Sequence, residues 1–281
     1  MLFIARPGAT TLLVLMLSLL TVSLTQAADE VVRIDTRPGV SQPFLVLAPS
    51  GPVAGAVIMF PPEDGHAKFK LRENGSYKIK HGGWIGQTAA RYLGQGYGVA
   101  VIQPPSDIDG MDPAFRKSAA HAEDLRHVIK YIRARFGHRP FLMGTCRASH
   151  SASSVASKVD NVTIAGIVLA SSRSRGKRGS ILDLIRPGEV KTRVLFIHHV
   201  DDDCGGSPHT GVAGLAEAFS AAEVATVSVS GGWRKPDAKK QKRGCGTNGS
   251  HKFYGAHGPV VDTITRWMRG GAVDEFLDAG S

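Results

Sequence analysis

From Val31 onward the chain alternates short, almost uninterrupted apolar runs with longer segments whose apolar residues recur every three or four positions. The runs FLVLA (44–48), AGAVIMF (54–60), YGVAVIQ (97–103), FLMG (141–144), IAGIVLAS (164–171), RVLFIHH (193–199) and VATVSVS (224–230) predict strands. Most lack polar alternation, which is the mark of strands covered on both faces. WIGQTAARYLGQG (84–96), FRKSAAHAEDLRHVIKYIRARFG (115–137), GVAGLAEAFSAA (211–222) and PVVDTITRWMRG (259–270) predict helices, and the small residues of HSASSVASKV (150–159) predict the start of another. Strand–helix alternation of this kind predicts an α/β fold, with a mostly parallel central sheet and helices on both faces. In such sheets, chemistry belongs to the loops at the carboxyl ends of the strands.

The first residues break the pattern. Arg6 precedes an apolar run from Thr11 to Leu24 that is short for a membrane span, and TQA ends in a small residue at Ala27. This is the layout of a secretory signal peptide over 1–27, followed by one α/β domain over 28–281. The expected product is exported, periplasmic or secreted, with no stable membrane insertion after cleavage. Hydrophobic content of 42% and charged content of 21% place the rest among ordinary globular chains.

The formal charge of +10 favours anionic surfaces or a small anionic substrate without naming one. Two basic runs, SSRSRGKRGS (171–180) and RKPDAKKQKRG (234–244), each follow a predicted strand and belong on the carboxyl face of the sheet. Their plainer reading is solvated loops; the sharper one is a rim that draws in anions. Lacking interleaved aromatics in an exported chain, they do not suit nucleic acid. No glycine-rich phosphate loop follows the first strand, so no nucleotide cofactor is expected. HHVDDDCGGSPH gathers potential ligands, but at no zinc spacing, and adjacent His198 and His199 point to opposite sides of a strand, so no metal is expected either. His121 and His127 fall on different faces of one helix and read as structural.

Candidate chemistry appears at three strand ends. GTCRAS (144–149) joins the FLMG strand to the small-residue helix in the layout of a nucleophile elbow, with Cys146 at its centre. Asp202 follows RVLFIHHV, and His251 lies in GSHKFYGAHG ahead of the last helix. Singly, a strand-end cysteine reads as a small buried hydrophobe, the Asp201–Asp203 run as a polar turn, and one histidine of eleven as nothing in particular. Together, in the order nucleophile, acid, histidine, they fit a catalytic triad. The chain has three cysteines, and sequence alone permits three single disulfide pairings.

The segments VIQPPSD, FRKSAAHAEDLRHVI, GTCRAS, HHVDDDC and SHKFYG occur in that order between Ala54 and Met268. In this the sequence resembles secreted or periplasmic bacterial α/β-hydrolases whose elbow reads GTSRG, whose acid lies in HHxxDxC, and whose histidine precedes GF or FYG. The resemblance implies the α/β-hydrolase fold, with Cys146 as nucleophile, Asp202 as acid and His251 as base. It also implies cysteines at 204 and 245, bridged so that the acid loop is tied to the histidine loop and Cys146 stays free. A cysteine at the elbow is similar to dienelactone hydrolases. Ala148 stands where the pattern has glycine. FPPEDG replaces the usual glycine pair of the oxyanion loop, and Pro61 and Pro62 have no N–H to donate. The oxyanion donors are therefore expected at Arg147 and at Glu63 or Asp64.

The resulting expectation is an exported hydrolase of an ester, lactone or thioester, working through a thioacyl intermediate. The alternative is a catalytically impaired relative that binds a ligand or acts as a thiol redox protein. The redox reading lacks a partner cysteine close to Cys146 in sequence.

Overall fold

A computed structural model describes residues 29–80, 83–232, 244–246 and 248–280. The expected signal peptide lies outside the described residues, as does the second basic run apart from Gly244.

Nine strands form one sheet in the order β1-β2-β6-β3-β7-β8-β9-β10-β11. They are β1 (Glu30–Arg37), β2 (Val40–Leu47), β3 (Gly55–Phe60), β6 (Tyr97–Ile102), β7 (Pro140–Thr145), β8 (Gly166–Ala170), β9 (Val194–His199), β10 (Val224–Ser230) and β11 (Phe276–Asp278). From β6 to β11 every neighbouring pair is parallel, while β1 and β2 join antiparallel at one edge. A separate hairpin pairs β4 (Lys68–Leu71) with β5 (Tyr77–Lys80). The predicted mostly parallel sheet is therefore present, and β1, β4, β5 and β11 are additions. These four sit at an edge or outside the main sheet, where mixed polar and apolar residues give no continuous hydrophobic run.

Alternation along each central strand sends successive side chains to two separate cores. Ala56, Ile58 and Phe60 of β3 pack with α3 (Ala119–Phe136), α4 (Ala148–Ala156) and α5 (Val212–Ala218). Val57 and Met59 pack with α1 (Trp84–Gly94) and α6 (His257–Met268) on the other face. Both faces are thus covered.

The long helix predicted over 115–137 is divided into α2 (Pro113–Arg116) and α3. Two successive caps explain the break. The Asp112 side chain accepts from the Phe115 N–H at 2.7 Å, and the Ser118 hydroxyl accepts from the His121 N–H at 3.0 Å. The turn between them sends Arg116 inward, 1% exposed.

The antiparallel edge is fastened to α3 through one buried carboxylate. Asp124 is fully buried and accepts from Thr36 Oγ1, and from Arg37 Nε and Nη2 at 2.9 and 3.0 Å. Arg37 also reaches Asp107 at 2.9 Å, and its pKa is raised by the Asp124 hydrogen bonds first and the Asp107 bond second. Arg37→Met strands the Asp124 charge, and we expect urea denaturation to show a loss of about 2–4 kcal/mol. That is slightly below the usual cost of breaking a buried pair, because Arg37 is partly exposed.

Candidate active site

The turn between β7 and α4 is built around close contact. A Cβ at Gly144 would lie 2.2 Å from the backbone oxygen of Ala148, so only glycine allows the strand and helix to approach this closely. Ala148 itself is fully buried and accommodated, so its extra methyl relative to the expected glycine is absorbed by packing. Cys146, between them, has a φ of +56°, a conformation rare outside glycine and typical of a strained elbow. Its N–H donates to Ala170 O at 3.2 Å, and its side chain is 5% exposed just ahead of the N-terminus of α4.

Asp202 and His251 come together at the carboxyl ends of the strands. His251 Nδ1 lies 2.8 Å from Asp202 Oδ2 and 3.1 Å from Oδ1. A carboxylate can only accept, so Nδ1 carries a proton, and Nε2 is the ring nitrogen left free of the carboxylate. Nε2 is buried and has no hydrogen-bond partner. Cys146 Sγ lies within 4.8 Å of a ring nitrogen of His251. Asp202 Oδ1 also accepts from the Cys204 N–H at 3.0 Å, which fixes the carboxylate from its own loop.

The histidine loop is held on three sides. His251 sits in a 3-10 turn, Ser250–Lys252, that ends in Phe253 at φ +53°. The Ser171 hydroxyl donates to His251 O at 2.9 Å, and Trp84 packs edge-on against Phe253. The structure carries a Cys204–Cys245 disulfide, which links the acid loop to the approach of the histidine loop.

Arg147 and Glu63, the two expected N–H donors, are also neighbours. The Arg147 guanidinium meets the Glu63 carboxylate at 2.8 Å. As the residue capping α4, Arg147 keeps its N–H outside the helical hydrogen-bond ladder. Glu63 has a φ of +55°, in a turn closed by Gly65 N–H donating to Pro62 O at 2.9 Å. Arg116 anchors this loop from beneath. It donates to Pro61 O at 3.1 Å, Glu63 O at 3.4 Å, Met111 O at 3.1 Å and Ser151 Oγ at 2.8 Å. Burial foremost, and then the nearby charge of Arg147, lower its pKa to about 10.

Burial works against a charged Cys146, but interaction with the His251 ring and then the charge of Lys252 outweigh it and bring the thiol down to about 6. For His251, burial and Lys252 oppose the charged form, while Asp202 and Cys146 outweigh them and raise its pKa. Both shifts favour a thiolate–imidazolium pair. We therefore expect the iodoacetamide labelling rate of Cys146 to rise with pH to a plateau with a midpoint near 6. A midpoint near the usual value of 9.0 would contradict this reading.

Sequence reasoning passed over three residues of this neighbourhood. Lys252 is 4% exposed, and its Nζ is buried without a hydrogen-bond partner. Ser171 opens the first basic run, and Arg116 falls within the helix predicted over 115–137. Nothing in the local pattern marks a lysine in a loop as buried; only the adjacency to His251 hints at it. The first basic run is also less uniform than its composition suggests. Arg175, Lys177 and Arg178 are exposed, whereas Arg173 is buried against the Gly179 and Arg175 carbonyls.

The histidines of the HHVDDDC segment are committed elsewhere. His198 Nε2 accepts from the Ser172 N–H at 2.8 Å. His199 Nδ1 accepts from the Asp201 N–H, which leaves Nε2 to donate to Gly231 O at 2.8 Å. Cys146 Sγ, Cys204 Sγ and a His251 ring nitrogen lie within 4.8 Å of one another, but the Cys204 sulfur is bound in the disulfide. As it stands, this trio offers a metal only two donors.

No protein-family model and no curated protein matches the chain. Solved structures do. A lidless α/β serine hydrolase from Xanthomonas campestris is 16% identical, covering 86% of this chain and 93% of that one, with a TM-score of 0.53. The acylaminoacyl peptidase of Pyrococcus horikoshii is 11% identical, covering 89% of this chain and 43% of that one, at 0.58. A cold-adapted esterase from an Arctic intertidal metagenomic library is 17% identical, covering 72% and 83%, at 0.50. At these identities the likeness speaks to architecture, and the architecture of this chain is the α/β-hydrolase fold.

Proposed function

We propose that the protein is an exported hydrolase that transfers an acyl group from an ester, lactone or thioester to Cys146 and then to water. The observation that carries this reading is the meeting of a positive-φ cysteine, at the turn from a parallel strand into a helix, with a buried histidine already held by an aspartate. The α/β-hydrolase fold, and neighbours described as an esterase and a serine hydrolase, support it. Export rests on the N-terminal pattern. The disulfide is compatible with it, and no helix among the described residues is long and apolar enough to cross a membrane.

In this reading the Cys146 thiolate attacks the acyl carbon, with the Arg147 N–H and the Glu63 N–H receiving the oxyanion. The tetrahedral species collapses as His251 gives its proton to the departing oxygen or sulfur, leaving a thioacyl enzyme. His251 then takes a proton from water, which attacks the thioester and expels the thiolate. Asp202 holds the imidazole with its Nε2 lone pair toward the reacting atoms and stabilises its charged form. The test is brief exposure to p-nitrophenyl acetate. A burst of nitrophenolate with one acetyl group on the Cys146 peptide is expected. Steady background release with acetyl on surface lysines alone overturns the proposal.

Lys252 supports an anionic substrate. A buried ammonium is costly without a counter-charge. The Cys146 thiolate supplies one at rest and loses it on acylation, so a carboxylate on the substrate keeps Lys252 paired through the cycle. Lys252→Met is therefore expected to raise KM for an ester bearing a free carboxylate by about 10- to 100-fold relative to its neutral counterpart, the range for losing a charged hydrogen bond. Equal changes for the two esters would exclude this role.

A further inference from the structure

The sulfur of Cys204, besides closing the disulfide, lies within 4.8 Å of the free thiol of Cys146. The two members of the bridge differ sharply in accessibility: Cys204 is 1% exposed, whereas Cys245 is in an exposed position. Three sulfurs thus run from the floor of the elbow to the surface. We propose that Cys146 exchanges into the Cys204–Cys245 disulfide, giving this chain a thiol–disulfide exchange activity that delivers a reactive thiol to the surface at Cys245, where disulfide-bearing molecules can meet it.

The exchange balances without an added oxidant or reductant. The Cys146 thiolate attacks Cys204 Sγ; the Cys146–Cys204 bond forms as the Cys204–Cys245 bond breaks, and Cys245 leaves as a thiolate that takes a proton from water. One disulfide and one thiol exist before and after. Two conditions that govern the rate are met on the attacking side. The nucleophile is held close to the sulfur it must reach, and its pKa of about 6 keeps it ionised at neutral pH while leaving it nucleophilic. The leaving group is the sulfur of Cys245, the exposed residue of the bridge.

One consequence is that the exchanged form has no nucleophile for acyl transfer, because Cys146 is capped by Cys204. The acid loop is then tied to the elbow instead of to the approach of the histidine loop. Any oxidant or reductant that shifts the population would set the fraction of chains able to turn over an ester. The exchange itself does not depend on ester turnover, since it needs only the three sulfurs.

The test reads cysteine positions, so its failure is distinct from failure of the hydrolase reading. The wild-type protein is incubated at neutral pH with a maleimide carrying a bulky polyethylene glycol chain, which cannot enter the buried elbow, and then mapped by peptide mass. Alkylation traps Cys245 and draws the exchange forward. The expected result is label on Cys245 approaching one per chain, together with a Cys146–Cys204 linked peptide. Cys146→Ser should abolish the Cys245 label. Labelling confined to Cys146, or Cys245 label that persists in Cys146→Ser, overturns the proposal. A second variant approaches the same contact from the other side. Cys245→Ser treated with diamide should close a Cys146–Cys204 bridge and lose both thiols to Ellman titration; two thiols remaining would also overturn it.

Discussion

Alanine at position 146 is expected to lower ester turnover by at least about 10^4-fold, leaving only what the oxyanion donors and binding can achieve without a nucleophile. The size follows from the arrangement of the site. His251 is oriented toward Cys146 by a carboxylate that is itself held by the Cys204 N–H, so no other side chain is poised to take over. Ser149 and Ser151 are nearby in α4, but Ser149 Oγ is engaged with Cys146 O and Ser151 Oγ with Arg116. The backbone at 146 already tolerates a side chain at φ +56°, and alanine asks nothing more of it, so the fold should survive. Steady-state kinetics on p-nitrophenyl acetate, with circular dichroism as the folding control, decides the matter. Retention of more than a few per cent of activity by a folded Cys146→Ala protein would remove Cys146 from the mechanism.

Asp202→Asn is expected to cost nearly as much, about 10^3- to 10^4-fold in kcat, while leaving KM close to its original value. The carboxylate accepts from His251 Nδ1 with both oxygens. An asparagine in its place can turn its NH2 toward Nδ1 and favour the tautomer with the proton on Nε2, which points a donor where an acceptor is needed. The substitution also removes the charge that raises the His251 pKa, so the pH profile should change together with kcat. A uniform fall in kcat with an unaltered pH profile would instead indicate that Asp202 serves only to hold the loop.

The elements that were legible in the sequence are those buried on two faces. β3, β6, β7, β8 and β9 read as continuous apolar runs because each side chain meets one of two cores. β1 and β11 were not legible, since an edge strand covered on one side carries no such run. The three residues of the candidate site were legible through their order and placement, two just after strands and His251 in the loop ahead of the last helix. Lys252 and Arg116 were not, because their burial depends on which loops close over them. The nearness of Cys146 to Cys204 was equally hidden. Fifty-eight positions separate them in the chain, and only the side-by-side register of β7, β8 and β9 brings the ends of those strands together.

The arginine beneath the FPPED loop bears on any attempt to redesign this scaffold. It would be natural to restore a glycine pair at 61 and 62 to regain N–H donors. Yet the two prolines that withhold those donors also restrict the backbone whose carbonyls Arg116 holds, so the loop reaches its shape with little freedom left to lose. Glycines would add donors and slack together. The loop and Arg116 are better regarded as one transplantable unit, to be exchanged whole or left alone, and a library that varies residues 61–64 should vary position 116 with them.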